Sequence, residues 1–193
     1  MKRLLISASL AALPAMLPSA AYAQAIPPAV VAIVDLEKVE TTCNACRTAQ
    51  TALRSQVAAA QSRQQTLASP LETEGKAIQA AVDALNGKEP DAALKQRAQA
   101  WEAKRQQAAQ EVTRQQQQLQ ANQQYIQKQI ADKLGPIYSQ VMQRRGANVM
   151  VEIGQTLASG SALDVTNDII TALNSAMPTL QTTAPVTQQP QGR

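Results

Sequence analysis

LASPLETEGKAIQAAVDALNGKEPDAALKQRAQAW (residues 67–101) decides the fold. Its apolar residues recur at alternating steps of four and three, and the pattern is interrupted once, at Asn86-Gly87-Lys88-Glu89-Pro90. A repeat near 3.5 residues marks helices that wind around each other. The interruption holds the residues of a sharp turn. Extended outward, the first run is Leu53, Val57, Ala60, Leu67, Leu71, Ile78, Ala81 and Leu85, with Gln64 and Glu74 as polar intrusions. The second is Leu94, Ala98, Trp101, Ala108, Val112, Leu119 and Ile126, broken by Arg105, Gln115 and Asn122. Residues 47–145 therefore read as an antiparallel helical hairpin. With about 40 helical residues per leg and 1.5 Å per residue, it forms an arm about 60 Å long.

The frame has expected irregularities. After Ile126 it steps by four through Ile130 and Leu134 before resuming at Ile137 and Val141, a stutter that unwinds a supercoil locally. Pro70 would clash with the preceding turn of a continuous helix. Ser69-Pro70-Leu71-Glu72 also makes a good restart, with Ser69 as cap. Pro70 and Gly135-Pro136 are thus candidate hinges. Gly146, after Arg144 and Arg145, ends the returning helix.

The rest of the chain is small. Residues 29–35 are β-branched on both faces, as in a buried strand. Leu36, Val39, Cys43 and Cys46 already lie on the frame of the first long helix. Residues 147–153 read as a second strand and 155–158 as a short third. A helix capped by Asp164 or Thr166 then runs through Asn174, until Pro178 stops it. Residues 179–193, rich in Thr, Gln and Pro, offer little to bury and read as a disordered tail. The class is α+β, with a β-rich body from residues 24–46 and 146–177, the arm at 47–145, and the tail at 178–193. So few strands make a marginal core with open edges, which several copies of the chain could complete for one another.

Composition narrows the function. The chain has 193 residues, no His, no Phe and one Trp. Without His there are no His-ligated metals, His bases or Ser-His-Asp triads. No tuned carboxylate pair is evident, and no cofactor or metal is implied. Residues 1–23 read as a cleavable export signal. Lys2 and Arg3 lead an apolar run that is too short to span a bilayer comfortably, and Ala21-Tyr22-Ala23 suits the cleavage site. Residues 47–145 carry 14 Lys/Arg against 8 Asp/Glu, a net of +6. The remaining mature residues carry 2 against 6, a net of −4. The basic arm is either a solvated face or a lure for acidic partners or a membrane surface. Nucleic acid fits poorly with an exported chain so short of aromatics.

Cys43-Asn44-Ala45-Cys46 leaves several readings open. A haem motif needs His at the next position, where Arg47 stands. A thioredoxin-like motif needs a βαβ scaffold that the pattern does not provide. A structural disulfide, within the pair or between copies, suits an oxidising compartment. Buried free thiols suit the apolar stripe. Two cysteines alone do not make a zinc site.

The signal, the opening strand Val31-Ala32-Ile33-Val34-Asp35, the hairpin, the closing strand Asn148-Val149-Met150-Val151 and the ending Asp164-Val165-Thr166-Asn167-Asp168-Ile169-Ile170 resemble the Skp (OmpH-like) family of periplasmic chaperones. The resemblance spans about residues 24–177. It implies a homotrimer with an intertwined β body and three basic arms. It also implies ATP-independent holding of unfolded outer-membrane proteins in the periplasm, without enzymatic chemistry. The cysteine pair and the Gln/Pro tail depart from the family pattern, and no lipopolysaccharide-site motif is evident. Lys95, Arg97, Trp101, Lys104 and Arg105 are the candidate client-capture residues. The rival readings are an exported coiled-coil scaffold and a thiol oxidoreductase using Cys43 and Cys46.

Overall fold

The protein is described by a computed structural model covering residues 26–185. The export signal expected at 1–23 and the last part of the tail, 186–193, lie outside the described residues. The elements run β1 (Val31–Val34), α1 (Leu36–Thr42), α2 (Asn44–Asp83), α3 (Ala92–Arg145), β2 (Val149–Glu152) and α4 (Thr166–Ala176). The strands pair in parallel, Val31 opposite Val149 and Val34 opposite Glu152. Parallel neighbours need a crossover, and here the crossover is the whole hairpin. A parallel bridge from Ile33 to Asp164 covers part of the other edge of β1.

At 40 and 54 residues, α2 and α3 are about 60 and 80 Å long. Asn86 (φ 50°) and Gly87 (φ 85°) turn the chain with left-handed backbone, which Gly and Asn adopt most readily. The Asp91 carboxylate caps α3 by accepting from Leu94 N at 2.8 Å. Gly146 (φ 66°) ends it. Nearly all the heptad-frame residues are half-buried, because two helices alone cannot enclose a seam. Full burial begins only towards the root. There Ile126, Ile130, Leu134, Ile137 and Val141 follow the stutter into a core shared with Val39, Cys43, Ile169 and Leu173.

Four expectations change. The frame from Leu36 to Leu53 is two helices, not one. Cys43, with ψ 128°, breaks the spiral between α1 and α2, and the Asn174 side chain caps the restart by accepting from Asn44 N at 2.9 Å. The third strand is absent; residues Ile153–Gln155 form a 3-10 turn, since Gly154 and the following polar residues offer no alternating face. No restart occurs at Ser69. The helix runs unbroken through Pro70 and, in α3, through Pro136. The Ser69 carbonyl, rather than capping side chain, is engaged, accepting from Thr73 Oγ1.

The fourth change concerns the tail. Residues 178–185 lie against the root of the arm instead of hanging free. Burial alternates along them, with Leu180, Thr182 and Ala184 turned in and Gln181, Thr183 and Pro185 turned out.

Candidate functional site

Between α2 and α3, around Pro70, lies a cleft of about 670 Å³. Leu67, Pro70, Leu71, Ala100 and Trp101 give it an apolar floor, and Arg63, Glu74, Arg97, Lys104 and Glu111 ring it. Two salt bridges tie its sides together. Arg97 grips Glu74 with both arms of its guanidinium, at 2.6 and 3.0 Å, and Arg63 meets Glu111 at 2.7 Å. Hydrogen bonding to these arginines holds the Glu74 and Glu111 carboxyls below their usual pKa. Glu74, an intrusion in the frame, is therefore a strut of the arm. Trp101 donates its indole N–H to the Leu71 carbonyl at 2.8 Å.

Of the five candidate capture residues, the cleft gathers Arg97, Trp101 and Lys104. Lys95 is placed elsewhere, paired with Glu89 beside the tip. Arg105 is bound to Glu102 at 2.8 Å and lies 5.8 Å from the Trp101 ring centre, a cation–π distance. Lys104 has no salt-bridge partner among the described residues. Among the described residues, 7 of the arm's 14 Lys/Arg make a salt bridge, so its net charge is presented by the other half.

Cys43 and Cys46 form a disulfide, their Cα atoms 5.1 Å apart. Both are buried, at 0% and 6% exposure. They sit at the corner where α1 turns into α2, and Cys43 Sγ accepts from Cys46 N at 3.2 Å. Pro70 and Gly135 stand within unbroken helix, and a β-carbon on Gly135 would meet nothing within 4 Å.

Among the described residues, six of the eight exposed large apolar ones lie on or around the body: Ile26, Val30, Val149, Ile153, Leu157 and Leu163. Among the described residues β2 pairs only with β1, so its outer edge is open. No helix among the described residues is long and apolar enough to cross a membrane.

A second candidate site, at the root of the arm, escaped the sequence reading. Asn122, taken there as an intrusion in the stripe, is 4% exposed and bonded on every side. With Gln56, Gln118 and Gln129 it holds the tail segment. Only a long-range pairing gives these amides a role, and no spacing along either helix signals it.

The family model described as Outer membrane protein (OmpH-like) matches residues 30–173. A crystal structure of a protein from Caulobacter crescentus CB15, provisionally described as an OmpH-like outer membrane chaperone, superposes with a TM-score of 0.68. It is 21% identical, and the match covers 87% of this chain and 99% of that one. At that identity the likeness carries the fold. No curated protein matches the chain.

Proposed function

The chain belongs to the OmpH-like outer membrane protein family, and from that premise we propose that it is an ATP-independent periplasmic holdase. Its clients are unfolded outer-membrane proteins, held between the arms of several copies. The carrying observation is the arm itself. It is a two-helix seam too thin to bury its own apolar stripe, with a cleft at Pro70 that sets Trp101 and small apolar residues among charges. Such a surface offers many weak contacts, which suits a collapsed chain that must not be committed to one structure. The residues we assign to capture are Lys95, Arg97, Trp101, Lys104 and Arg105. Pro70 and Gly135-Pro136 are the assigned joints, since each Pro removes one backbone bond from its helix.

The open edge of β2 and the exposed apolar residues around it support assembly of several copies. The family implies three. The buried disulfide supports a structural role for Cys43 and Cys46, because thiol exchange needs an accessible sulfur. The export signal read at 1–23 supports delivery to the periplasm.

A holdase and a scaffold differ in what they bind. A urea-denatured β-barrel protein diluted into the chaperone should co-elute with it on size exclusion, and the same protein refolded in detergent should not. Preference for the folded form would favour the scaffold.

A further inference from the structure

The segment Leu180–Pro185 is held in a way that says what else would fit its groove. Its backbone makes five hydrogen bonds to side-chain amides of the arm. Gln129 closes a pair with Gln181, accepting from its N–H at 3.0 Å and donating to its carbonyl at 2.8 Å. Asn122 Oδ1 accepts from Ala184 N at 2.8 Å, and Gln118 Nε2 donates to the Ala184 carbonyl at 3.2 Å. Gln56 Nε2 donates to the Thr182 carbonyl at 3.1 Å. The amides also brace one another, through Asn122 Nδ2 to Gln56 Oε1 at 2.8 Å and Gln118 Nε2 to Asn122 Oδ1 at 2.7 Å.

No hydrogen bond among the described residues goes to a side chain of Leu180, Gln181, Thr182, Thr183 or Ala184. The arm reads main chain, which bends once at Thr183, with amide side chains in place of a second strand. What it asks of the side chains is alternation. Leu180, Thr182 and Ala184 face in and their neighbours face out, which is the period of a strand. The groove runs on beyond Asn122, lined by Ala59, Ala60, Gln115 and Leu119.

We propose that this amide ladder is a binding site for short, alternating segments of unfolded polypeptide, and that the tail is a built-in competitor occupying it. Strands of membrane β-barrels alternate in this way, and a ladder that bonds only main chain would accept many of them. The tail holds the site by high local concentration rather than by affinity, so an arriving client displaces it strand for strand. The inference rests on the holdase reading for the identity of the ligand; the site and its occlusion are tested without a client.

The probe is a fluorescent peptide of sequence TLQTTAP, residues 179–185, followed by anisotropy. In the full-length chain, the double substitution Gln181→Pro and Ala184→Pro removes the two tail N–H donors. The variant should bind the peptide at least about tenfold more tightly than the wild type does. A peptide N-methylated at the positions of Gln181 and Ala184 should bind at least about tenfold more weakly. Gln118→Met with Gln129→Met on the arm should weaken binding comparably. Helical circular dichroism checks folding, and Ala184→Glu opens the tail by a second route if the proline pair disturbs the root. Equal binding by wild type and both opened variants, or equal binding of the N-methylated peptide, overturns the proposal. If the opened chains ignore the peptide while the wild type still suppresses client aggregation, this inference alone falls. If they bind it and no chain suppresses aggregation, the holdase reading falls and the site stands.

Discussion

Gly75 and Trp101 fit each other across the arm: a β-carbon on Gly75 would lie 3.1 Å from Cζ2 of the indole. The ring fills the space left by the missing side chain and reaches the Leu71 carbonyl one turn earlier. Gly75→Ala has two opposed effects, a helix-propensity gain of about 1 kcal/mol and a contact that needs a small shift of the ring. It should be nearly neutral. Gly75→Leu should push the indole out, break its hydrogen bond and cost about 1–2 kcal/mol. Trp101 is the only tryptophan, so its emission reads the site directly, and only the Leu variant should shift to the red with a lower melting temperature.

The arm's charges should act on arrival more than on retention. Neutralising Lys95, Arg97, Lys104 and Arg105 to Gln takes residues 47–145 from +6 to +2. It also leaves Glu89, Glu74 and Glu102 without their partners. Capture of a denatured acidic β-barrel protein at low salt should slow several-fold, with a smaller change in release. Surface charges are screened beyond about 8 Å at physiological ionic strength, so wild type and variant should converge near about 0.5 M salt. Stopped-flow binding over a salt series checks it. An association rate indifferent to salt and to all four charges would make the arm a solvated face.

The long elements were legible because a heptad frame is written in side-chain type. The seam residues, the turn at Asn86-Gly87 and the stutter into Ile130 and Leu134 all follow from spacing. What spacing could not supply were the contacts between distant parts. Cys43 sits on the frame yet breaks the helix, because its thiol bonds to Cys46 and Asn174 caps the next turn. Asn122 reads as a flaw until Ala184, far away in sequence, is brought to it. The tail reads as unfoldable by composition, since its anchoring groups are main-chain atoms that composition does not count. Of the proposed capture residues, Arg97, Trp101 and Lys104 share one cleft, and the pairing of Arg97 with Glu74 across it was not legible in the spacing.

Acid should loosen the structure through carboxylates that folding holds ionised. Asp164 is kept below its ordinary pKa by hydrogen bonds from Thr166, whose backbone N–H it accepts at 2.8 Å. Glu74 and Glu111 are lowered by their arginines. A carboxyl with a depressed folded pKa stabilises above its unfolded value, near 4, and that stability is lost as pH falls through the folded value. The melting temperature should therefore be flat near neutrality and fall below about pH 4. Asp164→Asn keeps an acceptor without the titration, and its melting temperature should fall less steeply over the same range.

Folding and assembly should be inseparable. Val151 pairs in register with Ile33 in a sheet whose outer edge is open. Val151→Asp would place a charge without a partner in the surface through which we propose that the copies assemble. Light scattering should report loss of the oligomer together with the strand signal in circular dichroism. A well-folded wild-type monomer at micromolar concentration would contradict the shared body.

The holdase reading requires that the arms hold unfolded outer-membrane clients without chemistry. Its most direct measurement is light scattering of a urea-denatured outer-membrane β-barrel protein diluted into buffer with a molar excess of the full-length chain and no nucleotide. Scattering should be suppressed, and the held protein should still fold when detergent or lipid is added. Aggregation at the same rate with and without the chain would contradict it.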